Sequence, residues 1–250
     1  MTKIWKPVNY IIAILLYLAF FYFVLTTLKI NLDFEVYYEY RNLIFKGWLR
    51  TIQVSAIGVT LSLVVGLILY FMSQAKSIPI LPILAEIHKT VIFSTPLIVL
   101  AIVAYYFIGT AFGVDSRMII GILTLGLYIG AYIADIYKGA VESIHINQWQ
   151  TAKMFGFSKY QTYRYVIFPQ VLKSILPPLA GQFALTIKGS ALLSLIGLNE
   201  LLNEINVVQA ISYKSIEGFI LLSIGYWIIT IPLIMAVRYF EEQLHVRVVK

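Results

Sequence analysis

Long apolar stretches alternate with short charged segments along this chain. Five stretches of 17 to 25 residues contain no Asp, Glu, Lys or Arg, and they are Pro7–Leu28, Thr51–Ala75, Thr90–Val114, Met118–Ala134 and Gly218–Val237. A sixth region, Ile175–Leu198, is apolar apart from Lys188. Because a transmembrane helix needs roughly 20 mostly apolar residues, the pattern predicts about six transmembrane helices.

Composition agrees with a protein of the bilayer. Of the 250 residues, 60% are hydrophobic and 12% are charged, and there is no cysteine. The apolar runs do not show the alternation of membrane β-strands. We therefore predict an all-α integral membrane protein with an N-terminal transmembrane helix and an outside interfacial segment in 1–50, a core of transmembrane helices in 51–244 and a tail in 245–250. Within the first part, the aromatic residues of 33–50 favour an interfacial helix.

The distribution of basic residues predicts the orientation, because Lys and Arg accumulate in cytoplasmic segments. With both termini inside, 12 basic residues face the cytoplasm: Lys3, Lys6, Lys76, Lys89, Lys138, Lys153, Lys159, Arg164, Lys173, Arg238, Arg247 and Lys250. Six face outside: Lys29, Arg41, Lys46, Arg50, Arg117 and Lys214. The twofold bias favours an N-in, C-in topology.

One connection, at about 138–174, is long and patterned, and this topology places it in the cytoplasm. Asn147 precedes Gln150 by three residues and Ser158 precedes Gln161 by three, the spacing of helix N-caps. Gly156 lies between them, where the end of a helix favours a left-handed residue, and Pro169 is expected to end the second helix. The connection therefore reads as two short helices. They form either a docking surface for a partner or a pair lying on anionic lipid.

The same connection resembles the EAA loop of ABC-transporter permeases. That pattern is Glu-Ala-Ala, three residues, Gly, nine residues and Ile-x-Leu-Pro. Here Gln150-Thr151-Ala152 is followed by Gly156 and by Val166-Ile167-Phe168-Pro169 at the same spacings. The flanking segments 130–139 and 169–179 are similar to those of the polar-amino-acid uptake permeases. The resemblance implies that the ATPase-coupling loop comprises Trp149, Gln150, Thr151, Ala152, Gly156, Phe157, Ser158 and Pro169.

The resemblance also implies the partners and the cofactors. Such a permease pairs with a second permease subunit, docks two ABC ATPase subunits and receives a small-molecule solute, an amino acid or similar zwitterion, from an extracytoplasmic solute-binding protein. The chain contains no G-x-x-x-x-G-K-[ST] phosphate loop. We therefore expect ATP and Mg to be bound by partner subunits, with no cofactor, metal or catalytic residue in this chain and no nucleic-acid partner. The expected location is the cytoplasmic (inner) membrane of a prokaryote.

Lys188 is the candidate for contact with the solute, because a cation inside a span must face water or a partner group. An anionic group such as an amino-acid carboxylate would pair with it; alternatively, it pairs with a protein group or snorkels to the interface. The tentative substrate pathway contains Lys188, Gln182, Thr186, Ser190, Ser194, Thr95 and Pro96. The alternative role of these hydroxyl and amide side chains is to form hydrogen bonds between packed helices.

Two other classes of protein compete with the importer. A secondary transporter driven by an ion gradient would show an internal repeat and several buried acids. Asp135, however, is the sole acid near a predicted span interior, and we expect it to pair with Lys138 or to cap the boundary of the span rather than to relay protons. Glu200, Glu204 and Glu217 are expected in a solvated outside loop. An intramembrane enzyme would need clustered His, Asp or Glu, and the sequence has no such cluster.

Overall fold

The computed structural model describes residues 5–27 and 31–246, with side chains for residues 9, 11–27 and 31–243. Four of the basic residues used to predict the orientation lie outside the described residues: Lys3, Lys29, Arg247 and Lys250. Most of the predicted tail, 245–250, lies outside them as well. The helices in chain order are α1 (Trp5–Thr27), α2 (Glu35–Glu39), α3 (Arg41–Gln74), α4 (Ile80–Ser94), α5 (Leu97–Val103), α6 (Arg117–Glu142), α7 (Ile146–Met154), α8 (Lys159–Gln161), α9 (Phe168–Gly189), α10 (Leu201–Ser212) and α11 (Ser215–Val246). The described ranges contain no strand, which confirms the all-α prediction.

Four helical segments are long and apolar enough to cross a membrane: Arg41–Gln74, Arg117–Glu142, Lys159–Ile196 and Ser215–Gln243. A fifth span results if the bent pair α4 and α5 crosses as one unit. The predicted first span coincides with α1, a helix of 23 residues; its apolar stretch with described side chains, Ile11–Thr27, is shorter than the four segments above. The count of six therefore stays a prediction.

Glycines bring α3 and α6 together at the centre of the fold. A Cβ added to Gly66 would lie 2.6 Å from Cγ2 of Ile133, and one added to Gly130 would lie 2.5 Å from Cγ1 of Val65. Small residues repeat every four positions on α3, at Gly58, Ser62 and Gly66. This is the small-xxx-small pattern that lets helices approach closely in a membrane.

The third predicted span is broken rather than straight. Thr90–Val114 was expected to form one helix, yet α4 already begins at Ile80 and meets α5 at an angle of 110°. Thr95 adopts an extended conformation between them. Pro96 causes this break, because proline disfavours a helical conformation in the residue before it.

The segment 33–50 is not a single interfacial helix. The short α2 precedes α3, which begins at Arg41 and continues without interruption through the predicted span. Tyr37 is buried among Leu201, Ile205 and Val208, and its hydroxyl donates to the carbonyl of Lys214 at 2.7 Å. An amphipathic aromatic pattern fits a membrane interface and a protein interface equally well, and here Tyr37 packs inside the protein.

Three acids expected in solvent are buried: Glu200, Glu204 and Glu217. The Glu200 carboxylate accepts hydrogen bonds from the hydroxyls of Thr51 and Tyr226 at 3.2 and 3.1 Å and from the backbone of Asn203 at 2.9 Å. It thereby caps α10 and ties that helix to α3 and α11. Burial raises the pKa of this carboxyl group to about 7, since the charged form is poorly solvated there.

Asp135 was expected to pair with Lys138, but it pairs with Lys89 of α4 at 2.8 Å. Lys138 instead lies 3.9 Å from Glu142 on its own helix. The ion pair between Asp135 and Lys89 holds the first half of the broken span against α6. Sequence proximity had suggested the local partner, whereas packing supplies one 46 residues away.

Candidate functional site

The long connection folds into a two-helix knob, defined here as residues 145–161, at the end of the bundle where α3 and α6 finish and α9 begins. α7 begins after His145, whose Nδ1 accepts a hydrogen bond from the backbone of Asn147 at 3.2 Å. The predicted cap, Asn147, is wrong by two residues. Both side chains can cap a helix, and the chain enters the helix at the earlier residue.

α7 ends in a left-handed turn at Gly156, where φ is +74°. The N–H of Phe157 donates to the carbonyl of Ala152 and the N–H of Gly156 donates to that of Lys153, both at 3.0 Å. This pair of hydrogen bonds is the Schellman motif, which satisfies the last carbonyl groups of a helix. The predicted role of Gly156 as a left-handed C-terminal residue is confirmed.

The second helix starts immediately after this turn. The Ser158 hydroxyl accepts from the N–H of Gln161 at 3.2 Å, and the Gln161 side chain accepts from the N–H of Ser158 at 2.8 Å. This reciprocal capping box was predicted and is present. Since hydrogen bonds within the knob satisfy both helix ends at the corner, the knob is held as a fixed shape rather than a loose linker.

Pro169 does not end the second helix, contrary to the prediction. α8 continues through a π-helical turn, Thr162–Ile167, directly into α9, where Pro169 occupies the first turn. The missing N–H of proline costs nothing in a first turn, and the wider turn before it absorbs the change of register. The knob is therefore continuous with the long apolar segment Lys159–Ile196.

The knob is seated on the bundle through one face. Ala152 is 4% exposed, and the ring of Trp149 meets the ring of Tyr163 edge-on with centroids 5.2 Å apart. Beneath them, Ala140, Ile167 and Val171 form a small core. Movement of α7 would thus be transmitted to α6 and α9.

The opposite face of the knob is free and partly apolar. Met154 is 86% exposed and Phe155 is 77% exposed. Of the eight residues assigned to the loop, Ala152 is buried and Trp149 is half-buried. The others are exposed: Gln150, Thr151, Gly156, Phe157, Ser158 and Pro169. Sequence reasoning left Met154 out of the site, although a methionine beside two aromatic residues on a polar loop is a signal for a contact surface.

The candidate pathway residues do not share one surface. Lys188 is exposed on the face of α9 that also carries Leu185. Thr186 and Ser190 are fully buried, and their hydroxyls donate to carbonyls of their own helix at 2.8 and 2.7 Å. Ser194 is half-buried. The polar stripe therefore turns into the subunit, whereas the cation points away from it.

Gln182 is half-buried, and its buried Oε1 has no donor among the described residues. The break at Thr95 and Pro96 lies beside the end of α9, at the residue that follows Lys188. The next residue, Leu97, places its Cδ2 3.2 Å from the position that a Cβ on Gly189 would occupy. The fold thus brings the broken span close to the helix that carries Lys188.

A family model described as "Binding-protein-dependent transport system inner membrane component" matches residues 84–246. The glutamine transport system permease protein GlnP of Escherichia coli (strain K12) is 31% identical over 207 residues, which are 82% of this chain and 94% of the relative. The probable amino-acid ABC transporter permease protein YckA of Bacillus subtilis (strain 168) is 29% identical, over 74% of this chain and 82% of the relative.

Solved structures give the same picture. A crystal structure of an amino acid ABC transporter with histidines matches with a TM-score of 0.77 and 27% identity, covering 86% of this chain and all of that chain. An inward-facing structure of the MetNI methionine ABC transporter matches with a TM-score of 0.63 and 18% identity, covering 80% and 97%. The similarity to the MetNI transporter supports the fold alone.

Proposed function

Since this chain belongs to the family of binding-protein-dependent transport system inner membrane components, we propose that it forms the path for an amino acid or similar zwitterion through an ATP-driven importer. It is a multi-pass inner-membrane protein and a permease subunit of an ABC transporter. The family works with ATPase subunits and a substrate-binding protein. The amino-acid solute is supported by relatives that are named for glutamine or amino-acid transport.

The observation that carries the proposal is the knob. It has a rigid backbone corner, a seated face against α6 and α9, and a free face that carries Met154 and Phe155. A partner that grips the free face can move the ends of two membrane helices. We assign this grip to the ATPase subunits, with ATP and Mg bound by them and no ATPase site in this chain.

The mechanism is a lever. When two ATPase subunits close on ATP, each pushes a knob, and the attached helices tilt so that the pathway opens on one side of the membrane and closes on the other. The N-in, C-in orientation, which places the knob in the cytoplasm, belongs to this proposal. So does pairing with a second permease subunit and delivery of the solute by the binding protein on the outer side.

Lys188 lies on the proposed pathway. A cation at this depth facing lipid would cost about 2.5–3.5 kcal/mol or more, so its exposed position on the isolated subunit calls for water or a second subunit opposite it. An amino-acid carboxylate passing along this face would meet the ammonium group. Thr95 and Pro96 supply an adjacent break in the helix, while Gln182, Thr186, Ser190 and Ser194 act mainly by packing α9 into the subunit.

The test is uptake in proteoliposomes that contain the permease with its ATPase subunits and binding protein. Radiolabelled glutamine and a panel of other amino acids are offered with ATP inside the vesicles, then with an imposed proton or sodium gradient instead. We expect uptake that requires ATP and the binding protein. Uptake driven by the ion gradient without ATP would refute the importer and favour a secondary transporter.

A further inference from the structure

A deep apolar groove opens beside the knob, at the end of the bundle that carries it. It has a volume of about 590 Å³, within the usual range for ligand sites of about 300–1,000 Å³. It lies between the last turns of α3, the last turns of α6 and the start of the long segment Lys159–Ile196. Its wall includes Leu67, Tyr70, Tyr163, Arg164, Ile175 and Leu179.

The groove has a polar mouth and an apolar floor. Arg164 is the one charged residue on its wall, and it forms no ion pair with any described residue. Tyrosines stand near this end, at the level where aromatic residues mark the membrane interface. From Arg164 to Leu179 the wall covers 15 residue steps, roughly 20 Å along the helix, which is long enough to extend from a membrane interface through the hydrocarbon of one leaflet.

The chain segment that forms much of the groove's wall carries a net positive charge. Between residues 138 and 174, five basic residues (Lys138, Lys153, Lys159, Arg164 and Lys173) stand against one acid, Glu142. Basic pockets between transmembrane helices at the membrane surface suit anionic lipid headgroups. A zwitterionic lipid such as phosphatidylcholine would fill the apolar floor equally well and also carries a phosphate, but its cationic choline would lie beside these basic residues.

From this geometry we propose that the groove binds an anionic phospholipid. The phosphate of the headgroup accepts hydrogen bonds from Arg164, and an acyl chain lies along the floor towards Ile175 and Leu179. The bound lipid then contacts α3, α6 and α9 together and fills the space beside the knob. The proposal does not depend on which solute the transporter carries.

The experiment uses the full chain purified in a neutral detergent, to which dioleoylphosphatidylglycerol or dioleoylphosphatidylcholine is added. Native mass spectrometry counts bound lipid. We expect one phosphatidylglycerol to bind about fivefold more tightly than phosphatidylcholine, as for one basic residue facing an anionic rather than a zwitterionic headgroup. Glycerol phosphate in solution should not displace it, which separates a lipid from a free phosphate.

Two variants and a matched control locate the site. Arg164→Gln should remove the preference for phosphatidylglycerol, whereas Lys153→Gln, the same charge change on α7 away from the groove, should alter it less than twofold. Leu67→Trp, at a position 45% exposed, should fill the floor and weaken both lipids. Thermal unfolding without added lipid checks that each variant is folded.

Equal lipid preference in the Arg164 and Lys153 variants would overturn the proposal. Undiminished binding in folded Leu67→Trp would overturn the acyl-chain site. Dimers of the chain that exclude the lipid would show instead that a second copy covers the groove, and would also overturn it.

Discussion

Replacing Gly156 with valine probes the corner of the knob without touching its packing. No heavy atom outside the flanking residues lies within 4 Å of the position that a Cβ would take there, so the added Cβ meets no other part of the protein. The whole penalty is backbone strain, because φ is +74°. For an L-residue, left-handed backbone costs about 1–2 kcal/mol, and a β-branched residue is the least tolerant.

This backbone strain should weaken the binding of the ATPase subunit to the knob. A penalty of 1–2 kcal/mol changes the population of a conformation by a factor of about 5 to 30. Since a partner binds the fraction of molecules that already have the right shape, the apparent dissociation constant of the ATPase subunit should rise by up to about this factor. The bundle itself should keep its thermal stability, because the corner is exposed.

Matched variants separate strain from bulk. Gly139 also has open space around its would-be Cβ, but it lies within α6 at a normal helical conformation. Gly139→Val should therefore leave docking unchanged. Gly156→Asn should restore most of the affinity, since asparagine tolerates the left-handed region.

The assay is binding of the detergent-solubilised permease to immobilised ATPase subunits, with coupled uptake measured in proteoliposomes. Wild-type docking and uptake in Gly156→Val would refute the lever. Equal losses in Gly156→Val and Gly156→Asn would refute the strain argument, because the two differ chiefly in their tolerance of positive φ.

Three further outcomes follow from other contacts. Gly66→Leu should destabilise the subunit by about 1–3 kcal/mol in denaturant unfolding, since its Cβ would lie 2.6 Å from Cγ2 of Ile133; unchanged stability would refute the close helix contact. The pKa of Glu200 is raised to about 7 from 4.5, because the folded state favours the protonated carboxyl group. The protonated group therefore makes its full contribution to folding stability below pH 4.5, and this contribution is lost as the pH rises through 7. The melting temperature should fall over that window in the wild type, by an effect on the order of 3 kcal/mol, and should be flatter in Glu200→Gln; equal slopes would contradict the assignment. Lys188→Ala should lower uptake at least about tenfold, the effect of losing one charge-assisted hydrogen bond, while co-purification with the ATPase subunits is retained, and unchanged uptake would remove this residue from the pathway.

Sequence alone determined the helical class and the local chemistry of the knob. Apolar runs long enough to cross a bilayer have few alternatives, because every backbone amide must be hydrogen-bonded within the segment. Gly156 and Ser158 were identified for the same kind of reason, since a left-handed turn and a capping box depend on residues within about three positions. These features are local, and so a linear pattern contains them.

Tertiary structure decided where the charges and polar side chains point. Glu200 is 149 residues from Thr51, and no local pattern distinguishes a buried cap from a solvated loop acid. Helix rotation likewise separated Lys188 from Thr186, two positions apart and therefore on different faces of one helix. Burial, ion-pair partners and the groove beside the knob arise from which helix faces meet, and that is fixed by packing between segments far apart in the chain.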